Sequence, residues 1–255
     1  MAVPLFAQTA RWFAAALDLL YPPRCAACAT RLPAPAAADF CEACTSQLEP
    51  ITPPCCHLCS EPFPGQITGP FSCPNCTGLE FAFDFAITSW QSTGPLREAI
   101  HRFKYGKFLH LRLALAHKLI DSFNDSRFPA SASPAAGEHP WILIPVPLHA
   151  RRFRERRFNQ SAELARTVAK LSGIPCHDLL RRTRYTTAQA ALNRQQRLQN
   201  LAGAFTLKPN TKLPLHAGVF LVDDVFTTGS TAHECALTLK RAGAARVVVL
   251  TVARG

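Results

Sequence analysis

Apolar residues along this chain fall into short unbroken runs separated by stretches of helical spacing. WILIPVP at 141–147, VFLV at 219–222 and the run at 246–252 are almost wholly hydrophobic. That is the pattern of strands buried on both faces. Residues 81–90 read as another strand. Between these runs the spacing predicts helices after Gly94-Pro95, over 111–123, over 161–171 with a stop at Gly173, and from Thr231 to Gly243. Strands alternating with helices predict an α/β fold, a doubly wound parallel sheet. A short amphipathic helix is expected at 5–20, stopped by Pro22-Pro23, and a Ser/Ala/Pro-rich loop at 124–140.

The run at 219–222 leads straight into Asp223 and Asp224, then Thr227, Thr228, Gly229, Ser230 and Thr231 at the head of a helix. Charges are costly to bury, so the two acids are expected to stop the strand at its exposed end. A hydroxyl-rich loop entering a helix N-terminus suits a phosphate. Two carboxylates suit ribose hydroxyls, which donate to them. No G-x-x-x-x-G-K-[ST] sequence is present, so this is not a P-loop.

Charge sharpens the picture. The net charge is +11, but residues 1–80 carry three basic and six acidic residues, so the positive charge lies on 81–255. Five arginines fall within 151–157, just past the strand that ends at Pro147. The end of a strand is where open α/β sheets bind ligands, and guanidinium forks fit phosphate oxygens. Residues 179–205 are polar and cationic, with Arg181, Arg182, Arg184, Arg194 and Arg197, and are expected to form a lid over a polyanion. The cations after Gly94 (Arg97, His101, Arg102, Lys104, Lys107) are read equally as a solvated helix face. His57, His139, His216 and His233 show no ligand spacing and are taken as surface residues.

Eleven cysteines bring different chemistry. Cys25-x-x-Cys28 is followed after twelve residues by Cys41-x-x-Cys44. Cys56-x-x-Cys59 is followed after thirteen by Cys73-x-x-Cys76. Two such knuckles complete a tetrahedral, closed and therefore structural zinc site. Which knuckles pair is open from the spacing alone, and Cys55 is a possible competitor of Cys56. No secretory signal or membrane-length apolar run is read, so zinc thiolates in a reducing cytoplasm are expected. The expected organisation is an N-terminal helix (1–22), a double zinc-ribbon module (23–80) and an α/β domain (81–255).

The acid pair and TTGST loop resemble the PRPP (phosphoribosyl pyrophosphate) motif of type I phosphoribosyltransferases. With the cysteine module, the GPLR and KY residues at 94–105, PVPLH at 145–149, Arg154, the RFNQ run at 157–160 and the 189–205 segment, the chain resembles the ComF/GntX family. That resemblance implies a pyrophosphate loop at Pro145, Val146, Pro147, Leu148, His149, Arg151 and Arg152. It implies a lid at 181–200, ribose contacts from Asp223 and Asp224, a 5′-phosphate on 227–231, and Mg²⁺ with PRPP. Arg157 stands where the family often has glycine.

Three functions follow as expectations. One is an Mg²⁺-dependent phosphoribosyltransferase with an unidentified acceptor, or a nucleotide-salvage relative of it. Another is a module that handles incoming single-stranded DNA during natural transformation. The third is a zinc-dependent scaffold for competence or recombination proteins. No residue stands out as a general base.

Overall fold

The computed structural model describes residues 22–33, 39–132, 141–185 and 201–255. The segment at 5–20, most of the lid including Arg194 and Arg197, and His139 lie outside them. In chain order the elements are α1 (Glu42–Thr45), β1 (Phe85–Thr88), α2 (Gly94–Tyr105), α3 (Arg112–Ile120), β2 (Trp141–Pro145), α4 (Ala150–Arg156), α5 (Gln160–Ser172), β3 (Leu180–Arg182), β4 (Phe205–Leu207), β5 (Gly218–Phe226), α6 (Ser230–Arg241) and β6 (Arg246–Arg254).

Local chemistry sets the helix ends. Proline occupies the first turn of α2, and Leu96, Ala99, Ile100 and Phe103 give it one buried face. Asn159 caps α5 by accepting from the Ser161 N–H, and Gly173 closes it in the left-handed region at φ 77°.

The main sheet has the order β1-β6-β5-β2, with every pairing parallel. Alternation along the central strands divides the core in two. Phe220, Val222, Val248 and Leu250 join a layer with Leu96, Phe103, Leu115 and Leu164 of α2, α3 and α5. Val219, Leu221, Val247 and Val249 join the opposite layer with Cys235 and Leu239 of α6 and with Leu180 and Phe205. Helices therefore cover both faces, as the doubly buried runs predict. Phe220 stacks on Trp141 at 4.5 Å and Phe128 at 5.0 Å between ring centroids. Its full burial is worth about 2–3 kcal/mol. Gly218 faces Trp141, and a Cβ there would lie 2.5 Å from the indole, so a side chain would displace that stack. β3 and β4 form a separate antiparallel ribbon.

Both sheet edges are covered, which blocks pairing with another chain. Beyond β1, the Ala86 N–H donates to the Leu58 carbonyl at 2.8 Å, and the Ser60 hydroxyl donates to the Ala86 carbonyl at 2.9 Å. Beyond β2, Leu143 and His177 exchange backbone bonds with Pro175 and Leu143. The strand expected at 81–90 is shorter. Asp84 accepts from the Val247 N–H at 2.7 Å in place of a ladder carbonyl, and regular pairing starts only at Phe85.

Candidate functional site

The acid pair does not stop its strand. β5 continues through Asp223 and Asp224 to Phe226, still paired with β6. β2, its other neighbour, ends opposite Val222. The last four residues of β5 thus outrun β2 and leave a notch along one side. The carboxylates are tolerated in a strand because they border this notch rather than the core.

Alternation sends the two acids different ways. Asp223 lines a pocket of about 90 Å³ with 227–232 and Thr251. That is about three waters' share of liquid volume, the scale of one phosphate group. Asp223 Oδ1 accepts from the Ser161 hydroxyl at 2.8 Å and the Asp224 N–H at 2.9 Å. Burial, and then the neighbouring Asp224, push its carboxyl up to about 7. Asp224, 4% exposed, has one oxygen 2.9 Å from Lys104 Nζ. Its Oδ2 is buried without a hydrogen-bond partner among the described residues. An unsatisfied buried carboxylate oxygen costs about 1–3 kcal/mol, so the site is arranged for a donor or cation that the described residues do not supply.

The loop from Thr227 to α6 is built for an anion. Gly229 is the N-cap at φ 76°, and α6 has no side-chain cap. A Cβ at Gly229 would lie 2.8 Å from Phe226. The first-turn N–H groups therefore meet the pocket with no side-chain cap between them and a ligand. Thr228 and Ser230 hydroxyls lie 3.0 Å apart. Arg254, 7% exposed, donates to the Thr227 carbonyl at 2.9 Å and pairs with Glu61 of the second cysteine unit.

The turn after β2 differs from a simple loop. Val146 donates to the Val222 carbonyl, and the Asn159 amide donates to the Val146 carbonyl. His149 caps α4 by accepting from the Arg151 N–H. Arg151 and Arg152 thus lie on a short helix rather than in the loop expected from Pro145, Val146, Pro147 and Leu148. Arg151 stacks over Tyr185 at 4.8 Å, and Arg156 is buried against the Tyr105 hydroxyl at 3.3 Å. Arg182 loses solvent and faces Arg152, and both effects hold its pKa below the usual arginine value. Asp223 is also among the charges that act on it. Arg181 and Arg184 remain on the ribbon, donating to Thr206 and to the Ala202 carbonyl.

One residue was left open from the sequence and one was misjudged. Lys104 meets Asp224, because α2 carries it on the same side as Leu96, Ile100 and Phe103. A cation in register with an apolar stripe is the signal that could have found it. His233 is not a free surface residue, since its Nδ1 accepts from the Ala82 N–H at 3.1 Å and it is half-buried.

The cysteines resolve into two consecutive sets. The sulfurs of Cys25, Cys28, Cys41 and Cys44 lie within 4.8 Å of one another, and so do those of Cys56, Cys59, Cys73 and Cys76. Cys28–Cys41 and Cys59–Cys73 sulfurs are 3.7 and 3.6 Å apart. A tetrahedron with Zn–S of about 2.3 Å requires S···S of about 3.8 Å, far longer than a disulfide. Both sets have the ligands and the spacing of a structural Zn²⁺ site. Cys55 lies outside the second set, in a bridge to Pro62.

Comparison with known proteins agrees. Residues 16–77 match the model of the double zinc ribbon domain. The chain is 30% identical over 217 residues to competence protein F of Haemophilus influenzae, covering 84% of this chain and 90% of that protein. It is 31% identical over 186 residues to DNA utilization protein YhgH of Escherichia coli, covering 71% and 77%. Among solved structures, an adenine phosphoribosyltransferase aligns over 62% of this chain and 76% of its own, with 14% identity and a TM-score of 0.32. Among the described residues, no helix is long and apolar enough to cross a membrane.

Proposed function

The chain belongs to the ComF family of competence proteins, and from that premise we propose that it binds PRPP or a related sugar phosphate while serving in the uptake and handling of DNA. The observation that carries this reading is the uncapped N-terminus of α6 beside an acid pair with one unsatisfied oxygen. The 5′-phosphate lies on 227–231, and the ribose hydroxyls donate to Asp223 and Asp224. Pyrophosphate faces Arg152, Arg182 and Lys104, which supply the opposite charge. The hard oxygen donors of the acid pair fit Mg²⁺, which when bound neutralises pyrophosphate. In a transfer reaction the anomeric C–O bond to pyrophosphate breaks and an acceptor bonds to that carbon. The same cations then stabilise the departing charge. The zinc-thiolate sites suit a reducing, cytoplasmic setting.

Calorimetry with PRPP and Mg²⁺ tests the binding. Asp223→Asn should weaken it at least tenfold, and equal affinity in the variant would refute the site. The pH dependence follows from the raised carboxyl of Asp223. Ribose hydroxyls need the ionised acceptor, so affinity should climb from pH 6 to 8 and lose that slope in Asp223→Asn. Without ligand the sign is opposite. A raised acid contributes stability below its ordinary value of about 4, and this is lost as pH rises through about 7. Pyrophosphate release with a panel of amines and bases separates transfer from binding alone.

A further inference from the structure

A cleft of about 670 Å³ lies between the second cysteine unit and the turn after α3, outside the carboxyl end of β1. Open α/β sheets bind ligands at that edge, and the volume falls within the roughly 300–1,000 Å³ of small-molecule sites. None of its lining residues belongs to the acid pair, the 227–231 loop or the turn after β2. Its apolar walls are Ile51, Ile67, Phe71 and Trp90. Two carboxylates and one guanidinium also line it, so it lacks the excess of positive charge that draws phosphates elsewhere on 81–255.

The charged donors at this cleft are engaged within the protein. Arg127 donates to both oxygens of Asp125, to the His57 carbonyl at 2.9 Å and to the Ser60 hydroxyl at 2.8 Å. The Trp90 indole N–H donates to Asp121 Oδ2 at 2.8 Å, and the Lys118 ammonium donates to the same oxygen at 3.2 Å. Acceptors are left over. Asp121 Oδ1 has no hydrogen-bond partner among the described residues, and its side chain is 38% exposed. His57 Nδ1 lies 2.7 Å from the Phe71 carbonyl, so in the neutral imidazole it carries the proton and Nε2 accepts. Two donors on one oxygen hold the Asp121 carboxylate at the edge of the indole. Lys118 covers one face of that ring, 4.3 Å from its centroid. A planar ligand stacked on the other face meets a fixed acceptor at its rim.

We propose that this cleft binds an uncharged planar nitrogen heterocycle carrying an amino group, with its ring on Trp90 and its amino group donating to Asp121 Oδ1. The inference rests on the cleft alone and does not need PRPP binding.

Ligand-observed NMR titration of the full chain tests it with two matched pairs. Adenine is set against N6,N6-dimethyladenine, and 2-aminopyrimidine against pyrimidine, so that each pair differs in the amino donor. The amino forms should bind at least about tenfold tighter, as expected for a hydrogen bond to a charged acceptor. Asp121→Asn should remove that preference. The amide carbonyl stays on the indole N–H and Lys118, and its NH₂ replaces Oδ1, so a donor then faces a donor. Trp90→Ala should weaken all four ligands alike. Trp90→Phe keeps a ring but releases the carboxylate, so it should narrow the amino preference more than it lowers affinity. Melting temperatures identify any variant whose loss is one of folding, and the conservative Asp121→Asn carries the decision if Trp90→Ala unfolds. Asp223→Asn should leave ring binding intact, so this site and the sugar-phosphate site can fail separately. The proposal is overturned if none of the four ligands binds, if the amino and amino-free forms bind equally, or if folded Asp121→Asn keeps the wild-type preference.

Discussion

The two four-cysteine sites share one sequence pattern yet attach to the protein in different ways. The first belongs to the core layer of α2, α3 and α5, and the second to the layer of α6. They stand on opposite faces of the same sheet. In the first, Cys28 is exposed and Cys41 half-buried, and side chains make the ties, with His117 of α3 lying 2.7 Å from Asp39. Arg102 of α2 donates to the Ala26 and Ala27 carbonyls at 2.8 and 2.7 Å. In the second, all four cysteines are no more than 2% exposed. Its backbone closes the edge of β1 through Leu58 and Ser60, and Arg127 ties the His57 carbonyl and Ser60 to Asp125. Through Glu61 and Arg254 it also reaches the carbonyl of Thr227, in the anion loop. Identical metal chemistry thus supports a helix at one site and the sheet edge with the 227–231 loop at the other. The difference lies in what each knuckle's backbone meets, which spacing does not encode.

The largest effect should come from the second site. A structural zinc site holds on the order of 10 kcal/mol of folding free energy. Cys59→Ser should lower the melting temperature by about 10 °C or more, whereas Cys28→Ser should lower it by only a few degrees. Equal losses in thermal melts would break the comparison. Next, a chelator should strip the exposed first zinc faster. Zinc measured during the titration should fall to one equivalent with the fold retained, then to zero with unfolding. Simultaneous release of both would contradict the asymmetry. A smaller effect is expected at the attachments. Arg102→Ala loses two charge-assisted bonds and should cost about 2–3 kcal/mol. Ser60→Ala, which removes a hydroxyl shared between Ala86 and Arg127, should cost about 1–2 kcal/mol. The smallest effect separates function rather than stability. Glu61→Gln should weaken PRPP binding a few-fold by loosening Arg254 from the loop, with little change in melting temperature.

Much of this molecule is legible in its residues. Three nearly unbroken apolar runs require strands covered on both sides. The C-x-x-C pairs require tetrahedral metal, and TTGST after two acids announces an anion site, because each pattern satisfies a strong local constraint. Pairing of the knuckles was open from spacing, and only proximity of the sulfurs decided it. The strand end was misread at Asp223, since a charge is expelled from a core but not from a strand whose neighbour has ended. Lys104 reaches the acid pair through an ion pair and Arg254 reaches the loop through a hydrogen bond to the Thr227 carbonyl, and no local pattern specifies such long-range contacts. Sequence thus determined which groups do chemistry and which runs are buried, both being properties of near neighbours along the chain. Tertiary structure alone decided which acid meets the pocket and which meets a lysine, and which zinc unit braces the sheet edge. Those outcomes depend on register and on how far each strand runs beside its neighbour.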